Sequence, residues 1–410
     1  MNSDIKKNRM TDVTLTLRKS DGTPLANQQV TVEQTNHDFL FGTAASDLIP
    51  LTNGEYIGEE KERAEQRADK ITALFNAVTL PFYWARFEPE KGNPITAKVK
   101  NAARWCLDQK MLTKGHPLCW HTLTADWLLD MSNAEILKAQ TARIKRDVSD
   151  FRDLIDMWDV INEAVIMPVF DKYDNGITRL CKELGRIQMI KAMFETARDT
   201  NPNATLLIND FDVSSAYDIL VEGCLEAGIL FDVIGIQSHM HQGWWGVEKT
   251  LRVLENFERF NLPIHFTETT LVSGHLMSAE IVDLNDYQVT DWPTTPEGEE
   301  RQAEQAIQHY KTLFAHPLVE GITWWDLSDG GWLNAPAGLI RKDGSIKPAY
   351  EELTKLVKGE WWVTPMELLT NSNGEIHFSG FFGQYKLSYN GEQTLITILN
   401  GKKTRISVDL

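Results

Sequence analysis

Hydrophobic positions follow two rhythms along the 410-residue chain. Residues 12–35 alternate apolar and polar in VTLTLR and QQVTVEQT around SDGTPL, which predicts a β-hairpin turning at Asp21-Gly22. Residues 361–410 alternate in the same way, broken at the Asn-Gly pairs 390–391 and 400–401. Two β-rich ends around a different middle predict one small β-sandwich built from 11–36 and 361–410.

The middle, 37–358, repeats short apolar runs at 39–45, 76–80, 114–120, 157–162, 205–209, 232–237, 263–267 and 321–325. Amphipathic stretches separate them, at 59–75, 96–110, 133–152, 179–200, 214–228, 247–260 and 297–315, with a last one at 347–357. Ser132-Asn133 marks a helix start and Pro202 a helix end. Strands that are apolar throughout belong in a parallel sheet covered on both faces. Eight strand-helix units over about three hundred residues predict a closed (β/α)8 barrel. No GxGxxG follows any of these strands, which counts against an open dinucleotide-binding sheet.

In such a barrel, residues at the C-terminal strand ends face the active site. Those positions are Trp120 and His121 after strand three, Asn162 and Glu163 after strand four, and Asn209 and Asp210 after strand five. Strand six leads to Gln237 and His239, strand seven to Glu268, and strand eight to Trp325 and Asp326. Two carboxylic acids across a pocket are the minimal apparatus for cleaving a glycosidic bond, one protonated to donate and one ionised to attack. Indole faces pack on the C–H faces of sugar rings, and the chain has 13 Trp. A single buried glutamate is more often half of a structural ion pair. Two of them after opposite strands favour catalysis.

The runs GHPLCWH (115–121), WDVINE (158–163), GIQSHM (235–240), FTET (266–269) and GITWWDLSDGGW (321–332) resemble glycoside hydrolase family 10, the endo-β-1,4-xylanases, as do FGTAA (41–45) and FEPEKG (87–92). The motifs keep the family's order across the whole barrel. The resemblance implies Glu163 as acid/base, Glu268 as nucleophile, and Asn162 as the amide at the sugar 2-hydroxyl. It also implies His116, Trp120, Gln237 and His239 as sugar contacts, and Trp325 and Trp332 as aromatic walls. The implied reaction is hydrolysis of β-1,4-xylan or xylo-oligosaccharides by double displacement, with no cofactor.

The chain departs from the family where its strand-two loop usually supplies an acid, an amide and a lysine to grip the sugar. Thr79, Leu80 and Tyr83 stand there, so Tyr83 becomes the candidate contact on that side. Thr270 stands where an Asp usually orients the histidine. These departures keep two alternatives open: a retaining glycosidase for a different β-linked glycan, and a non-catalytic carbohydrate-binding barrel.

A formal net charge of −17 argues against nucleic acid and anionic membrane surfaces as partners and leaves neutral or cationic substrates open, among which the resemblance implies a β-linked polysaccharide or oligosaccharide. Cys106, Cys119, Cys181 and Cys224 have neither zinc-finger nor disulfide-framework spacing. His239 and His241 share a strand face, but no third ligand accompanies them, so no metal is expected. Trp244-Trp245 and Trp361-Trp362 fit packing and sugar platforms equally well. FSGFFGQY (378–385) reads as strand and turn. The first residues lack the apolar run of an export signal, so the protein is expected in the cytoplasm if the chain is complete as given, and secreted or periplasmic if a signal was removed. Oligomeric state leaves no signal in the sequence.

Overall fold

A computed structural model describes residues 3–400 and 404–409. After a short helix, Ser3–Arg9, come β1 (Met10–Arg18) and β2 (Gln29–His37). The barrel strands are β3 (Leu40–Ala44), β4 (Ala77–Pro81), β5 (Leu112–His116), β6 (Met157–Asn162), β7 (Thr205–Asp210), β8 (Val233–Met240), β9 (Ile264–Leu271) and β10 (Val319–Asp326). They close in sequence order, β10 pairing parallel to both β9 and β3. The chain ends in β11 (Met366–Leu369), β12 (Glu375–Phe381), β13 (Gly383–Tyr389), β14 (Glu392–Ile398) and β15 (Thr404–Asp409).

Every residue of β6 and of β9 is buried, because the barrel interior lies on one face and the helical ring on the other. The ring follows local chemistry. A capping box between Ser132 and Glu135 starts the helix Asn133–Asp150. Pro296 stands in the first turn of Pro296–Ala315, where its missing N–H costs nothing. The stretch expected as one helix over 179–200 is instead two, Gly176–Leu184 and Arg186–Thr200, parted at Gly185 with φ +80°. Among the described residues, no helix is long and apolar enough to cross a membrane.

The two ends form two small sheets, ordered β12-β1-β15 and β11-β2-β13-β14. The expected hairpin is therefore corrected: the turn at Asp21-Gly22 exists, with Gly22 N–H on Lys19 O at 2.8 Å, but β1 and β2 enter different sheets. Each has its own buried alternate row, Val13, Leu15 and Leu17 in β1 and Val30, Val32 and Gln34 in β2, and each pairs with C-terminal strands instead of with the other, β1 with β12 and β15 and β2 with β11 and β13. FSGFFGQY spans the end of β12 and the start of β13, with Phe381 and Phe382 buried.

The terminal segments meet the barrel at the N-terminal ends of its strands, opposite the rim where the strands' C-terminal ends lie. Arg9 donates to the carbonyls of Phe314 at 2.7 Å and of His316 and Val319 at 2.5 Å each. Its guanidinium stacks 4.8 Å from the Phe39 ring. Trp361 is fully buried and stacks on Phe314 with centroids 4.2 Å apart, so this indole is packing.

Candidate active site

The strand-three run is the clearest correction at the mouth. Expected over 114–120, the strand runs only from Leu112 to His116, because Pro117 has no N–H for the ladder. His116 is thus the strand end, and Trp120 reaches the mouth from the following loop. Strands six, seven and eight run further than expected, to Met240, Leu271 and Asp326, so Gln237, His239, Glu268 and Trp325 sit on the strands themselves. Register places Gln237 beside Glu268 and Asn162 beside Asn209. Register shifts between Asp159 and Ile161 and between Ile236 and Gln237 fall just before the polar residues they re-aim.

Glu163 follows β6 with φ +56°, a left-handed conformation that a non-glycine residue holds only when its surroundings fix it. Its N–H donates to Asn209 O at 2.8 Å. Its carboxyl accepts Trp120 Nε1–H at 2.8 Å, Asn162 Nδ2–H at 3.2 Å and Gln237 Nε2–H at 3.3 Å. Burial nevertheless dominates, and the charges of Asp210 and Glu268 add to it, pushing the Glu163 pKa up to about 8.

Glu268 is still more enclosed, with 5% side-chain exposure against 14% for Glu163, and reaches the opposite state. Burial works upward on its pKa too, but His116, His239 and Lys114 together hold it below the ordinary carboxylate value. His239 Nε2 lies 3.1 Å from Oε2. Asn209 Nδ2 donates to Oε1 at 2.9 Å and to Asn162 Oδ1 at 2.8 Å. Gln237 also donates to Asn162 Oδ1, at 3.1 Å, so the two carboxyls belong to one hydrogen-bonded network.

Behind this network stand groups that the sequence did not mark as functional. Asp159 is fully buried and holds both His116 Nδ1 and Lys114 Nζ at 2.7 Å. A charge inside an otherwise apolar strand run was the available signal for both Asp159 and Lys114. Thr267 Oγ1 donates to Asn209 Oδ1 at 2.6 Å, which fixes the amide so that its nitrogen faces Glu268. Gly235 admits that amide: a Cβ there would lie 2.5 Å from Asn209 Oδ1.

All ten residues expected at the site converge on this mouth. The Tyr83 ring lies 5.8 Å from His116 and 5.6 Å from Trp120. Trp325 packs edge-on to His116 at 5.2 Å, and Trp332 lies 4.6 Å from His239. Thr270 Oγ1 sits between His239 Nδ1 at 3.3 Å and His241 Nδ1 at 3.4 Å, the neutral hydroxyl that marks the departure from the family's usual acid.

One carboxyl that keeps its proton near neutrality and one that loses it are what donation to a glycosidic oxygen and attack on its carbon require, and they set this barrel among the glycoside hydrolases. The chain belongs to glycosyl hydrolase family 10, whose family model matches residues 35–356. It is 25% identical over 299 residues to an endo-1,4-beta-xylanase/feruloyl esterase of Xylanibacter ruminicola, covering 64% of this chain and 39% of that protein. It is 24% identical over 396 residues to the anti-sigma-I factor RsgI6 of Acetivibrio thermocellus, covering 94% of this chain and 46% of that one. The chain thus spans less than half the length of these curated relatives. Among solved structures, native xylanase 10B of Thermotoga maritima superposes with a TM-score of 0.63 at 22% identity, over 79% of this chain and 96% of that one.

Proposed function

We propose that this protein is a retaining, endo-acting β-glycosidase that hydrolyses β-1,4-xylan or xylo-oligosaccharides by double displacement. The observation that carries this reading is the opposite charge preference of Glu163 and Glu268 within one network. Glu163, protonated near neutrality, donates to the leaving oxygen while the Glu268 carboxylate attacks the anomeric carbon. Glu163 then takes a proton from water, which hydrolyses the glycosyl-enzyme with net retention. Direct attack calls for carboxyls about 5 Å apart. His116, His239 and Lys114 keep Glu268 ionised, Asn209 and His239 aim it, and Trp325 and Trp332 wall the sugar. The relatives named as xylanases support the choice of substrate.

A second reading, the same chemistry on another β-linked glycan, is favoured by the strand-two loop. Thr79 and Leu80 are buried, at 3% and 0% exposure, and an aromatic ring takes the place of a polar grip. Incubation with 2-fluoro β-glycosides of different sugars, followed by mass spectrometry, tests both readings. An adduct on Glu268 formed fastest by the xylo-configured reagent supports the first; fastest labelling by another sugar supports the second. Clear glycan binding without adduct or turnover would instead mark a carbohydrate-binding barrel.

A further inference from the structure

The mouth holds a further acid, Asp326, that the two-carboxyl chemistry leaves unused. Asp326 ends β10, which only β3 separates from β4 and the altered strand-two loop. Its carboxyl is hydrogen-bonded to Trp332, whose ring lies 4.6 Å from that of His239, and it is near enough to His239, Glu268 and Tyr83 for their charges to act on one another. Oδ1 accepts the Trp332 N–H at 3.4 Å. The Gly331 backbone presses on the same carboxyl so closely that a Cβ there would fall 2.2 Å from Oδ1. Oδ2 is buried with no hydrogen-bond partner among the described residues. A buried acceptor left unpaired is unfavourable, and a ligand hydroxyl relieves it.

Resting on the glycosidase reading, we propose that Asp326 accepts a hydroxyl of the sugar bound beside Tyr83, restoring from strand eight the polar recognition that the strand-two loop lacks. Burial holds the Asp326 pKa up at about 6, so the charged acceptor is present at neutral pH. A site built to hydrogen-bond a hydroxyl rejects the analogue that lacks it far more strongly than an apolar wall does.

Wild type and Asp326→Asn are compared on the aryl β-glycoside that wild type turns over fastest in a panel, and on its monodeoxy analogues. Asparagine keeps an oxygen for the Trp332 N–H and nearly the same volume. The expected result is a fall in kcat/KM of about 10- to 100-fold on the parent glycoside. One deoxy analogue, poor with wild type, is then turned over about equally by both proteins. Unchanged kcat/KM on the parent, or a uniform loss on every analogue together with a lower Tm, overturns the inference while leaving the glycosidase reading standing. A wild type that turns over nothing in the panel overturns both.

Discussion

Asn209 touches both carboxyl-bearing residues: its backbone carbonyl receives the Glu163 N–H at 2.8 Å, and its side chain donates to Glu268 at 2.9 Å. One residue therefore fixes the left-handed turn that aims Glu163 and helps hold the charge on Glu268. Asn209→Ala keeps the first contact and removes the second. The expected outcome is a loss of about 10- to 100-fold in kcat/KM with the acidic limb of the pH profile moved upward. An unmoved acidic limb would separate Asn209 from the charge of Glu268.

The two carboxyls differ in what their removal does. Glu268→Ala is expected to abolish turnover of every glycoside, since no covalent intermediate forms. Glu163→Gln is expected to lose activity on glycosides with poor leaving groups and to retain far more on activated dinitrophenyl glycosides, which need no proton. Steady-state kinetics across a leaving-group series separates these outcomes, and equal losses on all leaving groups would contradict the acid role.

Activity should follow a bell in pH. The acidic limb belongs to Glu268, held below the ordinary carboxylate value, and the alkaline limb to Glu163 at about 8. Glu163 also couples pH to stability. Its folded pKa is raised, so the stabilisation from holding its proton is complete below the unfolded pKa and is lost as pH rises through about 8. The Tm of Glu163→Gln relative to wild type is expected to increase steadily between about pH 5 and pH 9. A constant difference would show that Glu163 titrates like an exposed acid.

Trp120 Nε1–H donates to Glu163 and favours its charged form. Trp120→Phe keeps the ring and removes the donor, so the alkaline limb of kcat/KM should move to higher pH. A downward movement would assign that limb to another group.

Arg9 lies at the other end of the barrel and binds three carbonyls there. Arg9→Ala leaves them unpaired, and an expected cost of about 2–4 kcal/mol should appear as a lower Tm. Below the unfolding range kcat/KM should be unchanged, because Arg9 touches nothing at the mouth. A parallel loss of activity would mean that the terminal sheets shape the site.

Much of the mouth was legible because a barrel maps sequence onto space simply. Each strand is an apolar run, and its C-terminal end delivers one or two polar residues to a common rim. That rule places Glu163, Glu268, His239 and Trp325 together without any coordinates. It stumbled at 114–120, where the run reads as continuous although Pro117 ends the ladder, and at 179–200, where helical periodicity passes through Gly185. It also missed the partition of β1 and β2, since alternation shows which residues face inward but not which sheet they line.

What the chain determined by itself was local: the period of each element, the order of the strands, and hence the identity of the residues at the rim. What only the tertiary structure decided was the state of those residues. Whether a carboxyl keeps its proton depends on burial and on charges brought from other strands. His116, His239 and Lys114 act on Glu268, and Asp210 acts on Glu163, through space rather than along the sequence. The free oxygen of Asp326 belongs to the same category, because an unmet hydrogen bond exists only once every neighbour has been placed.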